Sequence, residues 1–430
     1  MSGTAAFAVA DVVVVGAGSA GCVVAERLSR EPSRRVALLE AGPGSLPDAA
    51  VTALTRLPIE PGAPRVRRHP EVRGRDVVRG AGLGGSSAVN GGYFLRGHRD
   101  DYREWPWPAA ELEAAFDVLD GGAAGGGLMS VSAFDDADLG TVAVAFEEYW
   151  RPRAPVGSGP WPTVGLNRVR SNRRDGRRFT AAEAFLSSPR PNLRVIGGCP
   201  AAEVTVRAGR VRGVVTDRGR IDAETVVLTA GTLGTAALAA PVLGGVLPVH
   251  EHAERLVRFR PRGSVAAPAL LQTVLHTDDR LEIRCYGDDF AAFIASVPTS
   301  GVALGVADMG AGTAGSLRWD GRLRIDLGEP DAASSSRLAG GVDEVRRLLE
   351  SSDFAHLVVP GSVRVDEMTG ASSHAWGSLP AGRAVGADGA VPGITGLHVA
   401  DASVLPGPLR SGPHASVMAV ATVIAERLAD

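Results

Sequence analysis

Val12-Val13-Val14-Val15-Gly16-Ala17-Gly18-Ser19-Ala20-Gly21 is the stretch on which the fold of this chain turns. Four consecutive β-branched residues suit a strand buried on both faces of a parallel sheet. Of the glycines that follow, Gly16 permits a tight turn, Gly18 lets backbone approach a pyrophosphate, and Gly21 lets helix and strand pack closely. Apolar residues recur at helical spacing from Cys22, and Val36 to Glu40 reads as a second strand, so the N-terminus opens as a βαβ unit. Ser19 and Ala20 fall at the start of its helix, whose N-terminus faces the phosphate charge. Glu40 stands 19 residues beyond Gly21 and is followed by Ala41. A carboxylate there can accept from both hydroxyls of a ribose and disfavours a 2′-phosphate. By itself this pattern fits a nicotinamide or a flavin dinucleotide equally.

Around that unit, 430 residues exceed the size at which one core keeps growing, so two packed domains are expected. Hydrophobic content of 45% and charge of 22% are those of an ordinary globular protein. A net charge of −3 provides no field to attract nucleic acid or anionic lipid. There is no lysine: all 45 basic residues are arginine, the composition of a GC-rich bacterial genome. Cys22, Cys199 and Cys285 are odd in number and far apart, which indicates neither a disulfide framework nor a zinc site and points to a reducing cytoplasm. No basic region precedes an apolar stretch at the N-terminus, and no run approaches the roughly 18 apolar residues of a membrane helix.

Further along, Pro43 to Glu71 reads as an irregular excursion, and Gly121 to Gly127 as a flexible loop. A helix over Ala181 to Leu186 precedes strands at Asn192 to Ile196, Ala202 to Arg207, Val211 to Thr216 and Val226 to Thr229, which return to the first sheet. Alternating stretches between about Leu270 and Leu327, among them Leu281 to Tyr286 and Leu317 to Ile325, predict an antiparallel sheet in the second domain. The final helix, Ala415 to Leu428, is apolar on most sides and should be buried against the first sheet. The class is therefore α/β. A Rossmann-like domain with a parallel sheet is expected over residues 8–100, 190–240 and 385–430. An α+β substrate domain on an antiparallel sheet takes 101–189 and 241–384.

The run Gly80-Ala-Gly-Leu-Gly-Gly-Ser-Ser-Ala-Val-Asn-Gly-Gly92, continued by Tyr93-Phe-Leu-Arg-Gly-His98, resembles the long signature of the glucose–methanol–choline oxidoreductases. The resemblance extends to Gly176–Leu186, Val227–Gly231 and Val399–Pro406, so it spans nearly the whole chain in order. It implies FAD as cofactor. It also implies that Gly85, Ser86, Asn90 and Gly91 border the isoalloxazine and pyrophosphate, where glycine admits a flat ring that a Cβ would obstruct. Ala230 and Gly231 would pass near the adenine half, Val204 would offer a backbone contact to adenine, and Asp401 and Ala402 would touch the ribityl chain and pyrophosphate. A surface glycine loop and, for Asp401, a helix-cap acid are the plainer alternatives. Members with covalent flavin carry a histidine immediately before the signature's asparagine; Val89 stands there, so non-covalent FAD is expected.

Two histidines match the family's active-site positions: His374 in His-Ala-Trp-Gly-Ser and His414 in Gly-Pro-His-Ala-Ser-Val. Oxidising an alcohol removes the hydroxyl proton as hydride leaves carbon for flavin N5, a task imidazole suits near neutral pH. His374 is assigned as general base and His414 as its partner on the substrate oxygen, with the roles exchangeable. His69, His98, His250, His252, His276, His356 and His398 lie outside matched motifs, and surface or packing roles are expected. His250-Glu-His252 has strand spacing for a metal but no third ligand, so no metal site is expected. The arginines at 168, 170, 173, 174, 177 and 178 read as a solvated charged face.

The resemblance implies a small-molecule alcohol or a reduced redox carrier as substrate, with a downstream electron acceptor. Neither nucleic acid nor an integral membrane segment is expected. The sequence departs from the family after Thr235, where its usual elements are shortened to Val249-His-Glu-His-Ala-Glu-Arg255. Ala88–Phe94, the Arg-rich segment before it and the compact length resemble the mycofactocin-associated branch, taken to reoxidise a peptide-derived carrier and pass electrons to respiration. A small-alcohol oxidase using O₂ and a flavin electron-transfer protein with a degenerate alcohol site remain alternatives.

Overall fold

The computed structural model describes residues 9–265, 267–310 and 312–429. Val9–Val15 lies in the middle of the first sheet, parallel to Val36–Leu39 on one side and to Gly219–Leu228 on the other. Val13 and Val14 have no exposed surface, as four consecutive valines at the centre of a parallel sheet require. Leu193–Ile196 extends the sheet parallel to Val36–Leu39, and Leu397–Val399 adds a short parallel strand beside Gly219–Leu228. Residues from the start, middle and end of the chain thus build one sheet.

That sheet is mixed and not purely parallel. Ala201–Arg207, Arg210–Thr216 and Gly219–Leu228 form an antiparallel meander at its edge, because tight turns join them with no crossover helix. The last helix, His414–Ala429, packs against Ser19–Leu28 and is buried from Ala415 to Ala425 except at Val417.

The second sheet is antiparallel, in the order Arg364–Val365, Ala253–Phe259, Val302–Asp308, Leu281–Asp289, Leu271–His276 and Gly165–Arg168. Strand alternation divides Leu281–Asp289 between two faces. Leu281, Ile283 and Cys285 join a core with Phe146 and Val345 from the covering helices Thr141–Trp150 and Ala332–Glu350. Glu282, Arg284 and Tyr286 project from the other face.

Two local expectations change. The hairpin of Gly315–Trp319 and Leu323–Asp326 does not join this sheet; it pairs with Val246–Val249, and its Leu317 and Ile325 enter the core of the first domain. Leu379, also inside the 241–384 segment, belongs to that core too. Gly121–Gly127 is a compact turn, closed where Gly126 and Val131 exchange backbone hydrogen bonds of 2.7 Å. Among the described residues no helix is long and apolar enough to cross a membrane.

Candidate active site

Three glycine segments meet at the C-terminal end of Val9–Val15. A Cβ on Gly21 would lie 1.8 Å from the Gly16 carbonyl oxygen, one on Gly16 2.6 Å from the Ala230 Cα, and one on Gly85 2.7 Å from the Gly18 Cα. Where these segments face outward the space is open: nothing lies within 4 Å of a Cβ built on Gly18 or Gly231, and only a Leu270 methyl approaches Gly91. Gly16, Gly18, Ser19, Asn90, Gly91, Ala230, Gly231 and Ala402 are all half-buried, while Ala20 is sealed inside the first turn of Ser19–Leu28. A trough whose floor is bare backbone beside a helix N-terminus fits a dinucleotide pyrophosphate.

The acids around the trough act first on backbone. Glu40 accepts from Ala17 N–H at 2.9 Å, Gly42 N–H at 2.7 Å and Gly82 N–H at 2.8 Å, and so joins the phosphate turn, the end of the second strand beside half-buried Ala41, and the glycine signature. Three of its roughly four acceptor positions are spent on amides, which leaves a position for a ribose hydroxyl. Asp401 accepts from Gly231 N–H and the Thr235 hydroxyl through one oxygen and from Ser403 N–H through the other, the cap role named as its plainer alternative. Burial pushes its carboxyl above the usual range. Ser86 is exposed and its Oγ accepts from Gly80 N–H. Val204 is buried in the edge strand opposite Val214, and Val89 is buried beneath the signature.

Of the arginines before Thr180 only Arg174 is exposed, so they do not form a solvated face. Arg178 is 1% exposed and donates to the carbonyls of Val51, Arg56, Ala88 and Asn90, which fastens the signature loop from below. With no carboxylate beside it, burial draws its pKa down to about 10. Arg168 binds Glu147 and Asp136, and Arg173 binds Asp138.

His374 and His414 approach the same segment from different sides. A Cβ on Gly412 would lie 3.6 Å from His374 Nε2 and 3.1 Å from the Tyr93 ring. His414 turns the other way, with Nε2 3.1 Å from Ser19 Oγ, Nδ1 3.4 Å from Asn90 Nδ2, and its ring against the edge of Phe94. It therefore stands at the phosphate turn and is not bonded to His374. The ring partner of His374 is His252, Nδ1 to Nδ1 at 3.1 Å. Burial brings the pKa of His414 down to about 4; burial, together with the positive charge of Arg284, carries His374 well below the ordinary histidine range.

Expectations drawn from the sequence missed a chain of buried polar groups on the second sheet. Tyr93 O–H donates to Glu282 at 2.6 Å, His276 Nε2 meets the same carboxylate at 2.9 Å, and His98 Nε2 lies 2.9 Å from His276 Nδ1. Arg284 bridges Glu282 and Glu254, and Tyr286 donates to Glu254. Burial works to raise the Glu282 carboxyl, but Arg284, His276 and Tyr93 outweigh it and hold it well below the carboxylate range. Tyr93 is pushed up by burial and by Glu282, and His98 is drawn down to about 3 by burial and His276. The only available signal was the alternation of Leu281–Tyr286, which puts Glu282 and Arg284 on one face but gives no partner. Among the described residues no group of three or more histidine, cysteine or acidic side chains could hold a metal.

A glycine-floored trough in a discontinuous α/β sheet, near the ring pair of His252 and His374 and an antiparallel sheet, has the architecture of a dinucleotide-binding enzyme. The N-terminal model of the GMC oxidoreductases matches residues 10–134 and the C-terminal model residues 322–421. A GMC-type oxidoreductase of Rhodococcus erythropolis, described as uncharacterized and lying in the thcA 5′ region, is 30% identical over 96% of this chain and 97% of its own length. The chain belongs to the GMC oxidoreductase family. An alcohol dehydrogenase [acceptor] of Pseudomonas putida is 29% identical over 58% of this chain and 51% of its own length. The crystal structure of pyridoxine 4-oxidase from Mesorbium loti superposes with a TM-score of 0.83 at 23% identity, over 97% of this chain and 99% of that one, which shows a shared fold. FAD is the cofactor that this membership brings to the trough.

Proposed function

We propose that the chain oxidises an alcohol with non-covalent FAD, His374 serving as the base that takes the hydroxyl proton. The observation that carries this is the setting of His374: half-buried at the cleft, beside Gly412 in the segment leading to the trough, with its backbone N–H fixed by Glu251 at 2.8 Å. FAD, which the backbone of Gly16, Gly18, Ser19 and Gly231 would hold, would supply the two-electron acceptor for the carbinol hydride. His374 is neutral because burial and Arg284 disfavour the imidazolium, so a nitrogen lone pair is available to the hydroxyl. The proton leaves oxygen for that nitrogen as the carbonyl forms. His414, bonded to Ser19 and Asn90, is placed with the residues that would hold the cofactor. Val89 offers no nucleophile for a covalent flavin link.

The protein purified with FAD should be yellow and should bleach anaerobically with its alcohol. His374→Ala should slow that bleaching at least about 10²-fold. A colourless protein unable to bind FAD, or an unchanged rate in the variant, would refute the respective parts.

The likeness of Ala88–Phe94 to the mycofactocin-associated branch supports a reduced redox carrier as the alcohol, with electrons passed to the respiratory chain. The three cysteines, buried and free, are in keeping with a cytoplasmic setting. Reduced mycofactocin bleaching the flavin faster than simple alcohols would support that substrate; hydrogen peroxide released at the turnover rate would identify an oxidase in its place.

A further inference from the structure

His252 has no part in the function above, yet it is the group that touches His374 most directly. Its side chain is 1% exposed, its ring crosses that of His374 at 84° with centroids 5.4 Å apart, and the two Nδ1 atoms are 3.1 Å apart. Both backbones are held by one carboxylate: Glu251 accepts from His252 N–H at 2.9 Å, from His374 N–H at 2.8 Å and from Ala375 N–H at 3.0 Å. Ser372 N–H donates to the His252 carbonyl at 2.9 Å. Four contacts therefore fix the two backbones from which the rings meet.

Two nitrogens at hydrogen-bond distance share one proton between them. Arg284, Glu282, Asp308 and His250 act on His252, and Arg284, Glu282 and Arg79 on His374. Burial and Arg284 dominate at both rings and keep the pair neutral near neutral pH, His252 at about 4. If the shared proton sits on His374, its Nε2, the nitrogen beside Gly412, is a bare lone pair; if it sits on His252, that same Nε2 carries hydrogen and cannot act as a base.

We propose that His252 is a positioning residue that accepts a hydrogen bond from Nδ1–H of His374 and thereby holds that histidine in the tautomer whose Nε2 takes the hydroxyl proton. This rests on the role of His374 proposed above. When Nε2 gains the proton, the Nδ1–H of the resulting imidazolium still donates to His252, and a hydrogen bond from a charged donor is about twice as strong as one from a neutral donor. His252 thus favours the state reached during proton removal over the resting one, with no direct contact to substrate required.

Two-bond nitrogen–proton spectra of the histidine-labelled protein read the tautomer directly, with the His374 signals identified by their loss in His374→Gln. The native protein should show His374 protonated at Nδ1 only; protonation at Nε2 would overturn the proposal. His252→Asn keeps an acceptor and should retain most of the anaerobic flavin-reduction rate. His252→Leu removes it and should reduce the rate roughly 10- to 100-fold, with substrate affinity little changed and His374 in mixed tautomers. Equal rates in the two variants would overturn the proposal. His374→Ala separates the two levels: a native rate there defeats the base itself, whereas a large loss there with a native rate in His252→Leu defeats only the part given to His252.

Discussion

Between Gly16 and Gly21 the protein makes a site by leaving side chains out, whereas on Leu281–Asp289 it makes one by burying them. The first needs only that backbone come close to backbone, as at Gly21 and the Gly16 carbonyl, and the glycine spacing that permits this lies within six residues. The second needs Tyr93, Glu254, His276 and Arg284, brought from separate segments, to satisfy one another around a carboxylate with no exposed surface. A glycine turn fails by collision. A buried ionic chain fails by leaving a charge unpaired.

The harshest way to test that contrast is Gly21→Val. A Cβ would fall 1.8 Å from the Gly16 oxygen and 2.8 Å from Thr229 Oγ1, and the first of these is backbone that cannot give way without opening the turn. The expected product is protein without flavin, seen as loss of the visible absorbance on purification. A variant that retained stoichiometric FAD would show that the turn tolerates what its geometry forbids.

On the other side, Glu282→Ala leaves Tyr93 and His276 without their shared carboxylate and Arg284 with Glu254 alone. Breaking a buried ion pair from one side costs about 3–5 kcal/mol, readable as a fall in the urea midpoint of the flavin-loaded protein. A loss below about 1 kcal/mol, the scale of an exposed pair, would mean that water reaches the network and that the contrast with the turn is overdrawn.

Acid probes both regions at once. His252 on the network side and His414 at the trough both have folded-state pKa values of about 4, below the ordinary histidine value of 6.5. The folded protein therefore binds fewer protons than the unfolded chain, and stability rises with pH across this window. The contribution is fully present above pH 6.5 and is lost as pH falls toward 4, on the order of 3 kcal/mol for each histidine. Denaturant unfolding followed across this window should show a decline that becomes shallower in His252→Asn. A flat profile would place these rings in water.

How far each region was legible follows from the same difference. The phosphate turn, the helix Ala181–Leu186 and the apolar final helix announce themselves by spacing within a few residues, and each lies where that spacing puts it. The edge strands joined the first sheet as expected but in antiparallel order, and the Leu317 hairpin was misplaced, because strand periodicity identifies a strand but not its direction or its neighbour. His98, His252 and His276 were passed over for a related reason: a histidine acquires its meaning from what faces it, and their partners lie from 6 to 178 residues away. Arg178 looked like one of a solvated run, yet its four carbonyl partners come from two distant loops.

Within Gly176–Leu186 the two kinds of device stand two residues apart. Thr180 Oγ1 accepts from Glu183 N–H at 3.2 Å while the Glu183 carboxylate accepts from Thr180 N–H at 2.9 Å, a capping box complete within four residues. Because everything it holds is local, Thr180→Ala should cost only about 1 kcal/mol and leave flavin content and reduction rate at native values. Arg178, by contrast, ties the loop at Ala88 and Asn90 to the loop at Val51 and Arg56, so thermal melts of the two variants should place Arg178→Met well below Thr180→Ala. Were the cap the costlier loss, the part of this motif that matters would be its local helix signal, and the buried arginine would be only a passenger of the fold.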